Sequence, residues 1–167
     1  MYRAICNPAQ TQLPERWKKH VFEDVFKCLS CGAGVYTQPW LSGVQNRNHC
    51  PFCLSSRHLD HAQPGDRLSA CKALMQPIGL TMKRCRNKYG KLLTGELMLI
   101  HQCGDCGKLS INRIAADDML DRLMEIFNAS MSLKESQLTQ LEASGIQPLT
   151  GEDAWMVELQ LLGITQQ

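Results

Sequence analysis

The sequence predicts an α+β protein: a small β-hairpin domain pinned by cysteine turns, followed by a C-terminal α-helical appendage. Three C-x-x-C pairs stand at Cys28/Cys31, Cys50/Cys53 and Cys103/Cys106. Gly and Pro punctuate the short apolar runs between residues 25 and 116, as strands joined by turns require. After residue 117 the apolar spacing changes to a helical period.

Taken in order, residues 1–24 read as an N-terminal extension with two prolines. "ERWKKHVFEDVF" predicts one or two helical turns there, with Trp17, Val21 and Val25 on one face. Residues 25–118 read as the domain. "VFKC" leads into the first cysteine turn and "AGVYT" leads out. "PIGLTMK" and "GELMLIHQC" are strand candidates on either side of "RCRNKYGKLL", and "GKLSINRI" follows the last pair. This block shows no sustained helical periodicity. Residues 119–167 read as an acidic helical tail. Leu120, Leu123, Met124 and Phe127 share a helix face, and Asp117, Asp118 and Asp121 suit its positive N-terminal end. Ser132 and Glu135 make a capping-box pattern before Leu138 and Leu141, with Gly145 as the stop. Thr150 precedes "GEDAWMVELQLL", a third helix ending at Gly163.

The 167 residues include nine cysteines, an odd number. The first twenty residues lack the continuous apolar core of a secretion signal. No window approaches the ~18 apolar residues that span a bilayer. These features predict a soluble protein of a reducing compartment, the cytoplasm, where clustered thiols bind metal more often than they form disulfides. The net charge of +2 hides a split: residues 28–116 hold eleven Lys/Arg and four Asp/Glu, a net +7, and residues 117–167 hold two and nine, a net −7. Such asymmetry suggests a polyanionic partner for the basic half. Zinc thiolate centres, being negative, would offset part of that charge.

Two residues between cysteines let both sulfurs reach one ion from a tight turn. Zinc requires four ligands in a tetrahedron, so a structural site joins two such turns. The spacing Cys28-x2-Cys31-x18-Cys50-x2-Cys53 lies in the range of zinc sites. The third pair, Cys103/Cys106, needs two more donors, and Cys71 and His58 are the candidates. A hairpin from about 78 to 102 would bring Cys71 beside Cys103. Eight ligands for two zinc ions follow: Cys28, Cys31, Cys50, Cys53, His58, Cys71, Cys103 and Cys106. They can group sequentially, with Cys28, Cys31, Cys50 and Cys53 on one ion. They can also cross, with Cys28/Cys31 joined to Cys103/Cys106. Loop-closure entropy barely separates the two. His49 or His101 could replace His58. Cys6 and Cys85 are expected to be free thiols, and His20 and His61 exposed.

"RNHCPFC" at 47–53, "HLD" at 58–60, "PGDR" at 64–67, "MQPIG" at 75–79, "GELMLIHQCGDCG" at 95–107 and "NRIAADD" at 112–118 together resemble the RNHCP domain family over roughly residues 25–120. The resemblance implies zinc binding and the extent of the domain, and no particular activity. "KRCRNKYGKLLT" at 83–94 departs from the pattern as a longer hairpin tip. The first 24 residues and the tail lie outside it.

Three functions compete. The first is a zinc-stabilised binding module for RNA or a ribonucleoprotein such as the ribosome. Lys83, Arg84, Arg86, Lys88 and Lys91 surround Tyr89 at the hairpin tip, where cations can neutralise phosphates while the ring stacks on an unpaired base. Arg47, Arg57 and Arg67 add charge near the middle cysteine pair. The bland alternatives are a solvated loop, and pairing of Arg47 and Arg113 with Asp66, Asp117 or Asp118. The second is a protein-interaction scaffold acting through the tail, where Trp155, Leu159 and Leu162 form an apolar face, although such a face more often packs within its own chain. The third, an enzyme, is least favoured. A zinc deaminase needs a Glu two residues after its first ligand, which "HCPFC" lacks, and a redox dithiol expects a βαβ setting. A catalytic zinc needs an open position, which a labile His58 could supply, with "NRIAADD" offering polar groups.

Overall fold

The computed structural model describes residues 25–84 and 95–163. β1 (Val25–Lys27) and β2 (Gly34–Tyr36) pair antiparallel, Phe26 opposite Val35, around the first cysteine turn. A four-stranded antiparallel sheet runs in the order β3 (Ser56–Arg57), β4 (Leu74–Arg84), β5 (Gly95–Cys103), β6 (Leu109–Arg113). The β4–β5 hairpin holds register from Met75 opposite Cys103 to Arg84 opposite Gly95, with a shift between Pro77 and Gly79. Proline has no N–H for the ladder, and an irregularity is where a strand tolerates it.

Leu80 faces Leu99 and Met82 faces Leu97 across this hairpin, so the four side chains share one face of the sheet. α2 (Leu120–Ser130) lays Leu123, Ile126 and Phe127 on that face. Its C-terminal end comes close to β4, where a Cβ on Gly79 would lie 3.0 Å from the Cβ of Ser130. α3 (Glu135–Ala143), a 3₁₀ turn (Gly151–Asp153) and α4 (Ala154–Leu162) follow. Leu149 and Val157 enter the same core. The change at residue 118 is therefore one of secondary structure, since the helices share the core of the sheet.

β3 covers only the first residues of β4. Further along, the tail takes over this edge: the Leu149 N–H donates to the Leu80 carbonyl at 2.8 Å, and the Thr81 hydroxyl donates to the Gln147 carbonyl at 2.6 Å.

Several local expectations shift. Val25 opens a strand, and Trp17, Val21 and His20 lie outside the described residues. α1 (Pro39–Ser42) is a single turn that periodicity missed. Proline at its first position and Gly43 at φ +72° mark its two ends, as is common for helices. The cap of α3 is Lys134, two residues beyond the expected Ser132. The Gln137 carboxamide accepts from the Lys134 N–H at 3.2 Å, in place of a Ser132–Glu135 box. At its other end the Gly145 N–H donates to the Glu142 carbonyl and the Ile146 N–H to the Leu141 carbonyl, closing the helix with Gly145 at φ +67°.

α4 inverts an expectation. Trp155, Leu159 and Leu162 are 57%, 37% and 43% exposed, while Ala154, Met156, Val157 and Leu161 pack inward. Seven of its nine residues are apolar, so spacing alone does not choose the buried side. No helix among the described residues is long and apolar enough to cross a membrane.

Because Leu149 sits in the shared core, Leu149→Ala should destabilise the protein by about 2–5 kcal/mol in chemical denaturation. A change within ~0.5 kcal/mol, the range of neutral surface substitutions, would show that the tail is not part of that core.

Candidate metal centres

The three C-x-x-C turns share one hydrogen-bond pattern. The N–H of the first cysteine donates to the carbonyl five residues on: Cys28 to Ala33 at 2.8 Å, Cys50 to Ser55 at 3.0 Å, Cys103 to Lys108 at 2.9 Å. Its carbonyl accepts from the residue four on: Gly32 at 3.0 Å, Leu54 at 2.9 Å, Gly107 at 3.1 Å. That fourth residue takes a left-handed backbone, with φ +76°, +58° and +71° in turn. Glycine suits two of the turns. In the middle turn the position is held by Leu54, which is fully buried in the main core. A left-handed backbone costs a leucine roughly 1–2 kcal/mol, and burying its side chain returns about 1.5–3 kcal/mol.

The eight donors form two groups, each with its ligand atoms within 4.8 Å of one another: Cys28, Cys31, Cys50 and Cys53, and His58, Cys71, Cys103 and Cys106. The arrangement is the sequential one. In the first, the Cys28 and Cys53 sulfurs are 3.5 Å apart and those of Cys31 and Cys50 3.6 Å. In the second, the Cys71 and Cys103 sulfurs are 3.6 Å apart, and His58 Nδ1 is 3.3 Å from the Cys106 sulfur. A tetrahedral zinc with bonds of ~2.3 Å holds its sulfurs ~3.8 Å apart, so both donor sets fit one zinc ion each. The β4–β5 register decides the second group: it sets Cys103 opposite Met75, and the Gly104 N–H donates to the Leu74 carbonyl at 3.0 Å, three residues from Cys71.

Burial pushes the Cys50 thiol up to about 12. Burial opposes ionisation of Cys53 too, but hydrogen bonds from Ser55, Cys28 and Cys31 outweigh it and bring this thiol down to about 7. Burial, then the nearby Lys108, lowers the pKa of His58 and favours the neutral imidazole that binds metal.

His49 and His101 belong to neither group. His49 Nε2 lies 2.8 Å from a carboxylate oxygen of Asp118. His101 Nε2 donates to the Leu54 carbonyl at 2.7 Å, and its Nδ1 accepts from the Asn112 amide at 2.9 Å. Burial holds this imidazole neutral, with its pKa down to about 3.

Arg47 corrects an expectation. Its side chain is fully buried, with Nη1 2.7 Å from Asp117, Nη2 3.0 Å from Asp118, and Nε donating to the His49 carbonyl at 3.0 Å. A guanidinium sealed in this way does not face a phosphate. Asp118 also accepts from the Ala115 N–H at 2.8 Å. The pentapeptide 47–51 is thus used throughout. Asn48 links Asp60 and Arg67, Cys50 is a metal donor, and the Pro51 carbonyl accepts from the Met119 N–H at 3.0 Å. Sequence reasoning offered the polar groups of residues 112–118 to a catalytic zinc, and Asp117 or Asp118 to Arg47 as the bland alternative; the structure shows the ion pair with Arg47, and Asn112 bonds His101 on the neighbouring strand. Asp66, in "PGDR", accepts the N–H groups of Gln63, His61, Leu68 and Ala62, which hold its pKa well below the usual carboxylate range.

Of the expected phosphate-facing residues, Lys83 is exposed near the end of β4. The Arg84 side chain and all of Arg86, Lys88, Tyr89 and Lys91 lie outside the described residues, as do Cys6 and Cys85. Arg113 pairs with Glu96 at 3.1 Å, and His61 is exposed.

The family model described as the RNHCP domain matches residues 23–124, more than half of the chain, and the chain belongs to that family. No curated protein and no solved structure matches it. The matched span ends inside α2, and so takes in all eight donors and the Arg47–Asp118 pair.

Zinc titration of the metal-free chain should saturate at two equivalents, one per donor set. Binding should release protons, Cys50 among the donors, and weaken as pH falls, because the thiols must ionise to bind. Saturation at one equivalent, or binding without proton release, would contradict two centres of this composition. Asp118→Ala, which strips Arg47 of a buried partner, should cost about 3–5 kcal/mol. Unchanged denaturation would show that the pair does not hold the domain together.

Proposed function

We propose that the chain is a zinc-stabilised RNA-binding module that acts in the cytoplasm on a ribonucleoprotein such as the ribosome. The observation that carries this reading is the net +7 of residues 28–116. A four-thiolate and a three-thiolate zinc centre are both negative and offset only part of it. Among the described residues Lys27, Arg57, Lys72, Lys83 and Lys108 have no carboxylate partner. Cations left in this state can bind phosphate with release of counterions. The β4–β5 ladder outruns its neighbours, since β6 ends opposite Met98 and β5 still pairs with β4 at Leu97, Glu96 and Gly95. It leads toward residues 85–94, where basic residues flank Tyr89 in the sequence; a tyrosine ring suits the unstacked bases of single-stranded RNA.

A second reading, docking to a protein, is favoured by the exposed side chains of Trp155, Leu159 and Leu162 on α4.

The zinc-loaded chain should bind single-stranded RNA with a strong salt dependence. Replacing Lys83, Arg84, Arg86 and Lys88 together by alanine should weaken binding and flatten the slope of log K against log salt by up to ~3, at ~0.7 per phosphate contact. No RNA binding by the wild type would overturn the proposal. A nuclease-resistant association abolished by Trp155→Ser would favour the second reading instead.

A further inference from the structure

We infer that the cleft between β1 and β3 seats one nucleotide of a bound RNA strand, with Lys27 and Arg57 gripping its phosphate. The inference rests on the RNA reading above, yet uses none of residues 83–91. The cleft has a volume of about 410 Å³, within the ~300–1,000 Å³ range of small-ligand sites. Four basic residues line it and no acidic one does.

The four differ in what they can do. Arg47 is spent on Asp117 and Asp118. Arg67 lies 4.0 Å from Asp60 and donates Nη1 to the side-chain Oδ1 of Asn48, so it mainly shapes the rim. Asp60 itself accepts the Gly65 N–H at 2.8 Å and the Arg67 N–H at 3.1 Å. Lys27 is exposed and has no polar partner among the described residues. Arg57 is exposed and donates Nε to the Lys72 carbonyl at 3.0 Å. That bond restrains the guanidinium and leaves both Nη groups without a partner among the described residues, a fork suited to phosphate oxygens.

The remaining lining matches the rest of a nucleotide. Phe26, Leu59 and Leu74 are partly exposed and apolar, and offer a wall for the face of a base. Ser55 and Ser56, both buried, close the floor, the Ser56 hydroxyl donating to the Asn48 backbone carbonyl at 3.1 Å. Cys28 also lines the cleft, so the same cations could instead balance the negative charge of the first zinc centre. The test separates these roles.

The probe is a fluorescein-labelled oligouridylate, titrated by anisotropy into the zinc-loaded full chain over a range of KCl. Lys27→Gln/Arg57→Gln should bind more weakly and flatten the log–log salt slope by about 1.4, two contacts at ~0.7 each, with its zinc content unchanged. In the wild type, oligouridylate should shift the amide signals of Leu29, Thr37, Ser55 and Arg57. Wild-type affinity and slope in the double variant would overturn the cleft and leave the RNA reading standing. Failure of the wild type to bind would overturn both. Should the variant lose zinc, the wild-type amide map decides: shifts at the cleft support the seat, and their absence assigns these cations to the thiolates and overturns it.

Discussion

A tetrahedral ion needs four donors, and a C-x-x-C turn supplies only two. Every such turn must therefore find a second contributor elsewhere in the chain, and this requirement organises the molecule. The first turn finds the second. The third finds His58 and Cys71, because the β4–β5 register has already carried Cys103 to the level of Met75. Around the first centre the buried cluster is Cys28, Val35 and Cys50, with Phe26, Ala33 and Cys53 against it. So little apolar surface does not fix a two-stranded ribbon of three-residue strands. The ion supplies what the core there lacks, while the sheet and helices hold together by ordinary burial.

Two regions stabilised by different means need a joint. Leu54 belongs to both, since its backbone closes the second cysteine turn and its side chain lies among Leu80, Leu99 and Phe127. Arg47, His49 and Asp118 form the other part of the joint. Their mutual attraction is largely offset by the cost of removing charge from water, so their contribution is less net stability than a single permitted arrangement of the ribbon on the sheet. This explains why "RNH" stands directly before a metal ligand without itself binding the ion.

The sequence displays what depends on local spacing. C-x-x-C turns, the strands beside the hairpin and the face of α2 all declare themselves within a few residues. What depends on distant partners is hidden. Whether Cys50 joins Cys31 or stands apart from it follows from the β4–β5 register that sets Cys103 opposite Met75, near Cys71, which no spacing rule reports. The fate of Arg47 is settled by a carboxylate seventy-one residues away. α1 is too short to show a period, and α4 is apolar on too many sides for its period to be informative. At α3 the chain offers two overlapping caps, and Gln137 takes the Lys134 N–H where Ser132 was the expected start.

The tail segment 147–149 lies along β4 where β3 has stopped, with the Leu149 N–H bonded to Leu80 and the Thr81 hydroxyl to Gln147. An open strand margin of this kind is a template for joining another copy of itself. By occupying it, the segment works as a built-in guard against sheet-to-sheet polymerisation. Trimming the protein to its metal-binding part would expose an adhesive border, and shorter versions should be prone to clump even with every zinc ligand in place.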